Sequence, residues 1–186
     1  MRIRHLAPAA IIALTSSLAG CINSPGSYTT PQMSSEVGAF SASDIMFAQM
    51  MIPHHEQAVT LSNLAKSNTD YSITLELAER ISGAQEPEIA TMKAWLREAG
   101  ASEDMGHSMN MPGMISDDDM QELENARGDE FDVLFLTHMI AHHEGAIDMA
   151  KDVLASTTNP DVAAFASGVI EAQTLEIEEM KALLYG

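Results

Sequence analysis

A shift of 88 residues, carrying Asp44 onto Asp132, lays residues 44–96 over residues 132–184 without a gap, and roughly a third of the positions are identical. The sharpest match sets Met51-Ile52-Pro53-His54-His55-Glu56-Gln57-Ala58 against Met139-Ile140-Ala141-His142-His143-Glu144-Gly145-Ala146. A second sets Gln85, Glu88, Ile89, Met92, Lys93 and Ala94 against Gln173, Glu176, Ile177, Met180, Lys181 and Ala182. A chain built twice from one unit must bury the same face twice, so the two halves are expected to pack against each other.

Within each half the apolar residues recur at helical spacing, and alternating strand patterns are absent. The first half predicts helices over residues 43–66, with Ser43 as N-cap, and 72–99, ending at Gly100. The second predicts helices over 129–155, opening on acidic residues, and 160–185, opening on an Asn159 cap followed by Pro160. Pro87 falls inside a helix, where a kink is expected. Ser116 and Asp119 have capping-box spacing and start a short helix in the connector. The expected fold is all-α: two duplicated helical hairpins (43–100 and 129–186) forming an antiparallel four-helix bundle, joined by a long connector over 101–128.

The helical wheels place unusual groups on the buried side. His54 and His55 straddle the centre of the apolar arc of the first helix, and His142 and His143 repeat this, while Glu56 and Glu144 point outward. Met50 and His138 stand one turn before these pairs, beside Met51 and Met139. On the partner helices Gln85 and Glu88, and then Gln173 and Glu176, fall among the apolar positions. Each orphaned polar group in a core costs on the order of 1–3 kcal/mol, so these must be paired. Either His donates to Glu in a closed network, or the imidazoles ligate a metal with Glu88 and Glu176 beside them.

The chain has 14 Met and few aromatics, and five of those Met lie in the connector: Met105, Met109, Met111, Met114 and Met120, with His107 among them. Thioethers are soft ligands that suit Cu(I) and serve calcium, magnesium or zinc poorly. Met111 and Met114 also suit a packing role at the bundle end. The candidate metal ligands are therefore His54, His55, His138, His142, His143, Met50, Met51, Met139, Glu88 and Glu176. Met105, His107, Met109, Met111 and Met114 form a second cluster. The cofactor expected is copper, with Cu(I) favoured, or another transition metal. A formal net charge of −18 argues against nucleic acid as a partner and draws cations to the surface.

Residues 1–20 have the parts of a secretory signal: Arg2 and Arg4, an apolar run through Ile11, Ile12 and Leu14, then small residues. The run ends Leu18-Ala19-Gly20-Cys21, which resembles a bacterial lipobox and accounts for the single Cys of the chain as a lipidation site. Residues 21–42, rich in Ser, Thr, Pro and Gly, read as a flexible tether. The expected location is outside the cytoplasm, anchored to a membrane by lipid at Cys21, with the helical domain over 43–186.

The two His-His-Glu elements, with Met111-Pro112-Gly113-Met114 between them, resemble the bacterial domain of unknown function 305 family over residues 43–186. The resemblance implies a ferritin-like helical bundle, usually exported, with some members linked to copper binding and copper tolerance. A di-iron oxidase of that fold would need Glu-x-x-His elements, and no inward His has an acidic residue three positions earlier. Three readings stand at this point. They are an exported copper-binding protein, for which no catalytic residue is needed; a metal-dependent enzyme using the His/Glu interior; and a structural or partner-binding bundle with a metal-free polar network.

Overall fold

The computed structural model describes residues 39–106 and 111–186. Among these residues five helices follow in order: α1 (Ala42–Asn68), α2 (Ser72–Glu98), α3 (Asp117–Asn125), α4 (Asp129–Leu154) and α5 (Pro160–Tyr185). No strand occurs among the described residues. The expected all-α arrangement of duplicated hairpins is what forms: α1 packs along α2, α4 along α5, and the hairpins meet through α1 and α4.

The caps explain where the helices begin. Ser41, two residues before the expected Ser43, caps α1, because Asp44 at the third helical position completes the reciprocal box: the Asp44 amide donates to Ser41 Oγ and the Ser41 amide to Asp44 Oδ2. Ser116 caps α3, and Asn159 caps α5 by accepting from the Asp161 and Val162 amides. Pro87 and Pro53 lie within α2 and α1, and both helices continue through them. Buried Asn68 donates to the carbonyls of Leu123 and Ala126, tying the end of α1 to the end of α3. The Gly128 amide donates to the Asn68 carbonyl, and α4 begins there.

Two apolar clusters fill the bundle. One joins Phe47, Ala48, Met51 and Ile52 of α1 to Ala146, Met149, Ala150 and Val153 of α4. The other joins Ala58, Leu61 and Ala65 of α1 to Phe131, Phe135, Met139 and Ile140 of α4, with Leu123 of α3 among them. The early part of α1 thus meets the late part of α4 and the reverse, so the two run antiparallel. They pass each other at His54 and His142, between the clusters. No helix of the described residues is long and apolar enough to cross a membrane.

Candidate metal centre

Four imidazoles occupy the gap between the apolar clusters, and His54, His55, His142 and His143 are each 0% exposed. They arrive in pairs because adjacent residues on a helix are about 100° apart, so one ring of each pair faces the opposite hairpin and the other its own partner helix. His54 and His142 face each other across the α1–α4 crossing with ring centroids 3.7 Å apart. His55 turns to α2, where Nε2 donates to Glu88 Oε2 at 2.8 Å, and His143 turns to α5, where Nε2 donates to Glu176 Oε2 at 2.8 Å. The repeat therefore produces one shared layer of histidines about a pseudo-two-fold axis.

The two carboxylates are less buried than the wheels suggested, at 28% and 18% side-chain exposure, so each links a dry ring to the solvent edge. Glu56 and Glu144 point outward as expected and pair with Lys93 and Lys181 of the neighbouring helices at 2.8 and 2.9 Å.

The connector breaks the symmetry. The Pro112 carbonyl accepts from His54 Nε2 at 3.0 Å, whereas His142 approaches the His54 backbone without a well-formed hydrogen bond. Two glycines let the connector come this close. A Cβ on Gly145 would lie 2.0 Å from the Pro112 carbonyl oxygen, and one on Gly113, whose φ is +76°, would lie 2.5 Å from the Ala141 carbonyl oxygen. Gln57, which occupies in α1 the repeat position of Gly145, instead clamps the strap: its amide donates to the Ile115 carbonyl and accepts from the Ile115 amide.

These contacts fix the tautomers. Carbonyls and carboxylates accept here, so Nε2 carries a proton in His54, His55 and His143, and in His54, which burial keeps neutral, Nδ1 keeps its lone pair. Among the described residues none of the four Nδ1 atoms has a hydrogen-bond partner, nor has His142 Nε2, Gln173 Oε1 or either side-chain polar atom of Gln85. Burial holds the His54 pKa down at about 3, against the Pro112 hydrogen bond, with repulsion from His55 and His143 lowering it further. Burial, and then the neighbouring His54, His143 and His55, put His142 well below its ordinary value. At neutral pH both rings are thus neutral donors of electron pairs, the state a metal requires. The orphaned nitrogens fit a metal ion chemically, although no three His, Cys, Asp or Glu of the described residues are arranged as a ready-made cage.

The other sequence candidates disperse. Met51 and Met139 are fully buried, one in each apolar cluster, and His138 is half-buried. Met50 does not join the histidines but lines a surface groove with Met46 and Met149. In the connector, Met111 packs against the Phe47 cluster, Met114 is half-buried in the turn closed by its amide on the Met111 carbonyl, and Met105 is half-buried. His107, Met109 and Cys21 lie outside the described residues. Sequence reasoning missed the Pro112 carbonyl and the Gln57 clamp; the signal was the contrast between Gly145 and Gln57 at one repeat position.

Comparison with known proteins finds relatives of the same fold. The family model described as "Domain of unknown function (DUF305)" matches residues 44–184. A crystal structure of a DUF305 protein from Streptomyces coelicolor, described as a candidate secreted protein, is 33% identical with a TM-score of 0.72, covering 76% of this chain and 91% of that one. A DUF305 fragment from Deinococcus radiodurans is 27% identical with a TM-score of 0.71, covering 77% and 96%. CopM in its Cu(I)-bound form is 28% identical with a TM-score of 0.65, covering 77% and 98%, and CopM has also been solved with Cu(II) and with silver. No match is found among curated proteins. With the family model spanning the repeat from its first Asp to its last Leu, the chain belongs to the DUF305 family.

Proposed function

We propose that this protein binds copper outside the cytoplasmic membrane and sequesters or passes it on, held to the membrane by lipid at Cys21. The observation that carries the copper reading is the layer of four buried imidazoles whose Nδ1 atoms lack hydrogen-bond partners among the described residues. Left bare, each would cost on the order of 1–3 kcal/mol, and a metal turns that cost into coordination. His54, His55, His142 and His143 would supply the nitrogens, with Glu88 and Glu176 orienting two of the rings from behind. The copper-bound states of CopM, a similar chain, support copper over other metals, as do the connector thioethers. Export and anchoring rest on the sequence of residues 1–21.

The test is elemental analysis of purified protein after exposure to equimolar Cu, Zn, Fe and Mn, under reducing and oxidising conditions. Copper should be retained in preference, and replacing His54 and His142 together should remove the copper held at the histidine layer while helical content persists. A protein that retains none of the four metals, and folds with full stability without them, would defeat the reading.

One observation favours a second reading. The His55–Glu88 and His143–Glu176 pairs already engage both carboxylates, as a metal-free polar network would. Under that reading the His54 and His142 replacements would unfold an already metal-free protein.

A further inference from the structure

The duplication gives every surface of one half a counterpart in the other, and one such pair of surfaces differs in how it is finished. At one end of the bundle α3 lies against both α1 and α4, and Leu61 of α1 and Leu134 of α4 belong with Leu123 of α3 to one apolar cluster. At the other end no helix of the described residues covers the equivalent strip. It forms a groove of about 280 Å³ lined by Ser43, Met46, Phe47, Met50, Met149 and Asp152, among others. By the 88-residue shift, Met46 stands where the covered end has Leu134, Met149 where it has Leu61, and Met50 where it has His138.

The exchange is chemically specific. Leucine stands at two of the three equivalent positions at the covered end, and Leu and Met exchange there at little cost in packing, so burial of this strip does not require sulfur. Met46 and Met50 are four residues apart on one helix face, so their side chains are neighbours, and Met149 lines the same groove from α4. The three are graded in exposure: Met149 is 6% exposed, Met50 half-buried and Met46 47% exposed. That grading puts one thioether in the core and one at the solvent edge. Asp152 on the rim supplies a negative charge to balance a monovalent ion held by neutral sulfurs.

We propose that Met46, Met50 and Met149 form a thioether site for a soft monovalent cation, Cu(I) or Ag(I), on the surface of the bundle and distinct from the histidine layer. Three thioethers discriminate strongly against Zn(II), Ca(II) and Mg(II), which prefer nitrogen or oxygen. The site does not depend on the histidines holding metal.

The full chain labelled with 13C at its methionine methyls is titrated with Ag(I), and then with Cu(I) under anaerobic reductant. The methyl signals of Met46, Met50 and Met149, assigned through single Met→Leu variants, should move together and saturate together, and Zn(II) should leave them in place. The triple variant Met46→Leu, Met50→Leu, Met149→Leu should unfold near the wild-type temperature, bind fewer equivalents of Ag(I), and lose about tenfold or more in retention of Cu(I) at this site against a chelator. In a His54→Ala, His142→Ala background the three methyls should respond as in the wild type, even if all binding at the histidines is lost. Methyls unmoved by Ag(I), or a triple variant that binds Ag(I) and Cu(I) as the wild type does, would overturn the proposal. So would loss of the methyl response in the histidine variant. If the triple variant fails to fold, the wild-type titration decides the matter by itself.

Discussion

Replacing Gly145 by Ala sets two opposed effects against each other, and the structure decides the sign. Gly145 sits inside α4, where alanine is favoured over glycine by about 1 kcal/mol. Its added Cβ would stand 2.0 Å from the Pro112 carbonyl oxygen and 2.7 Å from the Gly113 amide nitrogen, and both are backbone atoms that cannot swing aside. The strap must lift. His54 Nε2 then loses its acceptor in a dry site, at about 1–3 kcal/mol, and the two Gln57–Ile115 hydrogen bonds are weakened at about 1 kcal/mol each. The net expectation is a loss of about 2–4 kcal/mol, or roughly 5–15 °C in Tm for a domain of this size. Gly83 in α2 and Gly168 in α5 are the controls: nothing lies within 4 Å of an added Cβ at either, so Ala there should stabilise by about 0.5–1 kcal/mol. Urea and thermal melts of the three variants make the measurement, with the His54 Nε2 proton followed by NMR. A Gly145→Ala variant that gains stability like the controls would refute the claim that the strap seats on this glycine.

Acid should destabilise the metal-free protein. Unfolded histidine takes up a proton below about pH 6.5, while His54 in the fold resists to about 3, so stability rises with pH across that window. At pH 5 His54 alone costs about 2 kcal/mol relative to neutral pH, and His142 adds in the same direction. Urea midpoints of the wild type and a His54→Asn variant at pH 7 and 5 test this, and equal pH slopes would sink it. Changing Met105, Met109, Met111 and Met114 to Leu should preserve the melt and lower Cu(I) affinity selectively, and unchanged affinity would remove the connector from metal binding. Cys21→Ser should abolish lipid attachment and leave the protein unprocessed or mislocalised; a wild-type protein retained at the membrane with no acyl group would contradict the lipobox.

Most of the fold was legible because the repeat and the caps are local signals. Asn159-Pro160 and Ser116 mark helix starts where the structure has them. The Ser43 expectation missed by two residues because two serines compete there, and the contact with Asp44 selects Ser41. The inward His and outward Glu of each motif followed from helix period alone. Period cannot fix how far each helix is rotated toward its neighbours, so one shared layer could not be told from two sites. That required the 3.7 Å approach of His54 to His142. For the same reason the helical period groups Met50, one turn from His54, with the histidines, whereas its side chain lines the groove shared with Met149. The role of Pro112 was illegible because it is a backbone carbonyl, and its use depends on a strap crossing α4 at a glycine about thirty residues away.

The crossing of α1 and α4 also bears on how the chain reaches this state. Each hairpin is closed by short connections and can form from neighbouring segments, but His54 and His142 are joined only after 87 intervening residues have been arranged. The histidine layer is therefore the high-contact-order part of a mostly low-contact-order protein. Substitutions in the α1–α2 turn should slow folding, whereas substitutions at the α1–α4 crossing should chiefly speed unfolding. A ligand bound at the crossing would then slow the opening of the bundle and extend the lifetime of the folded protein more than it would hasten its formation.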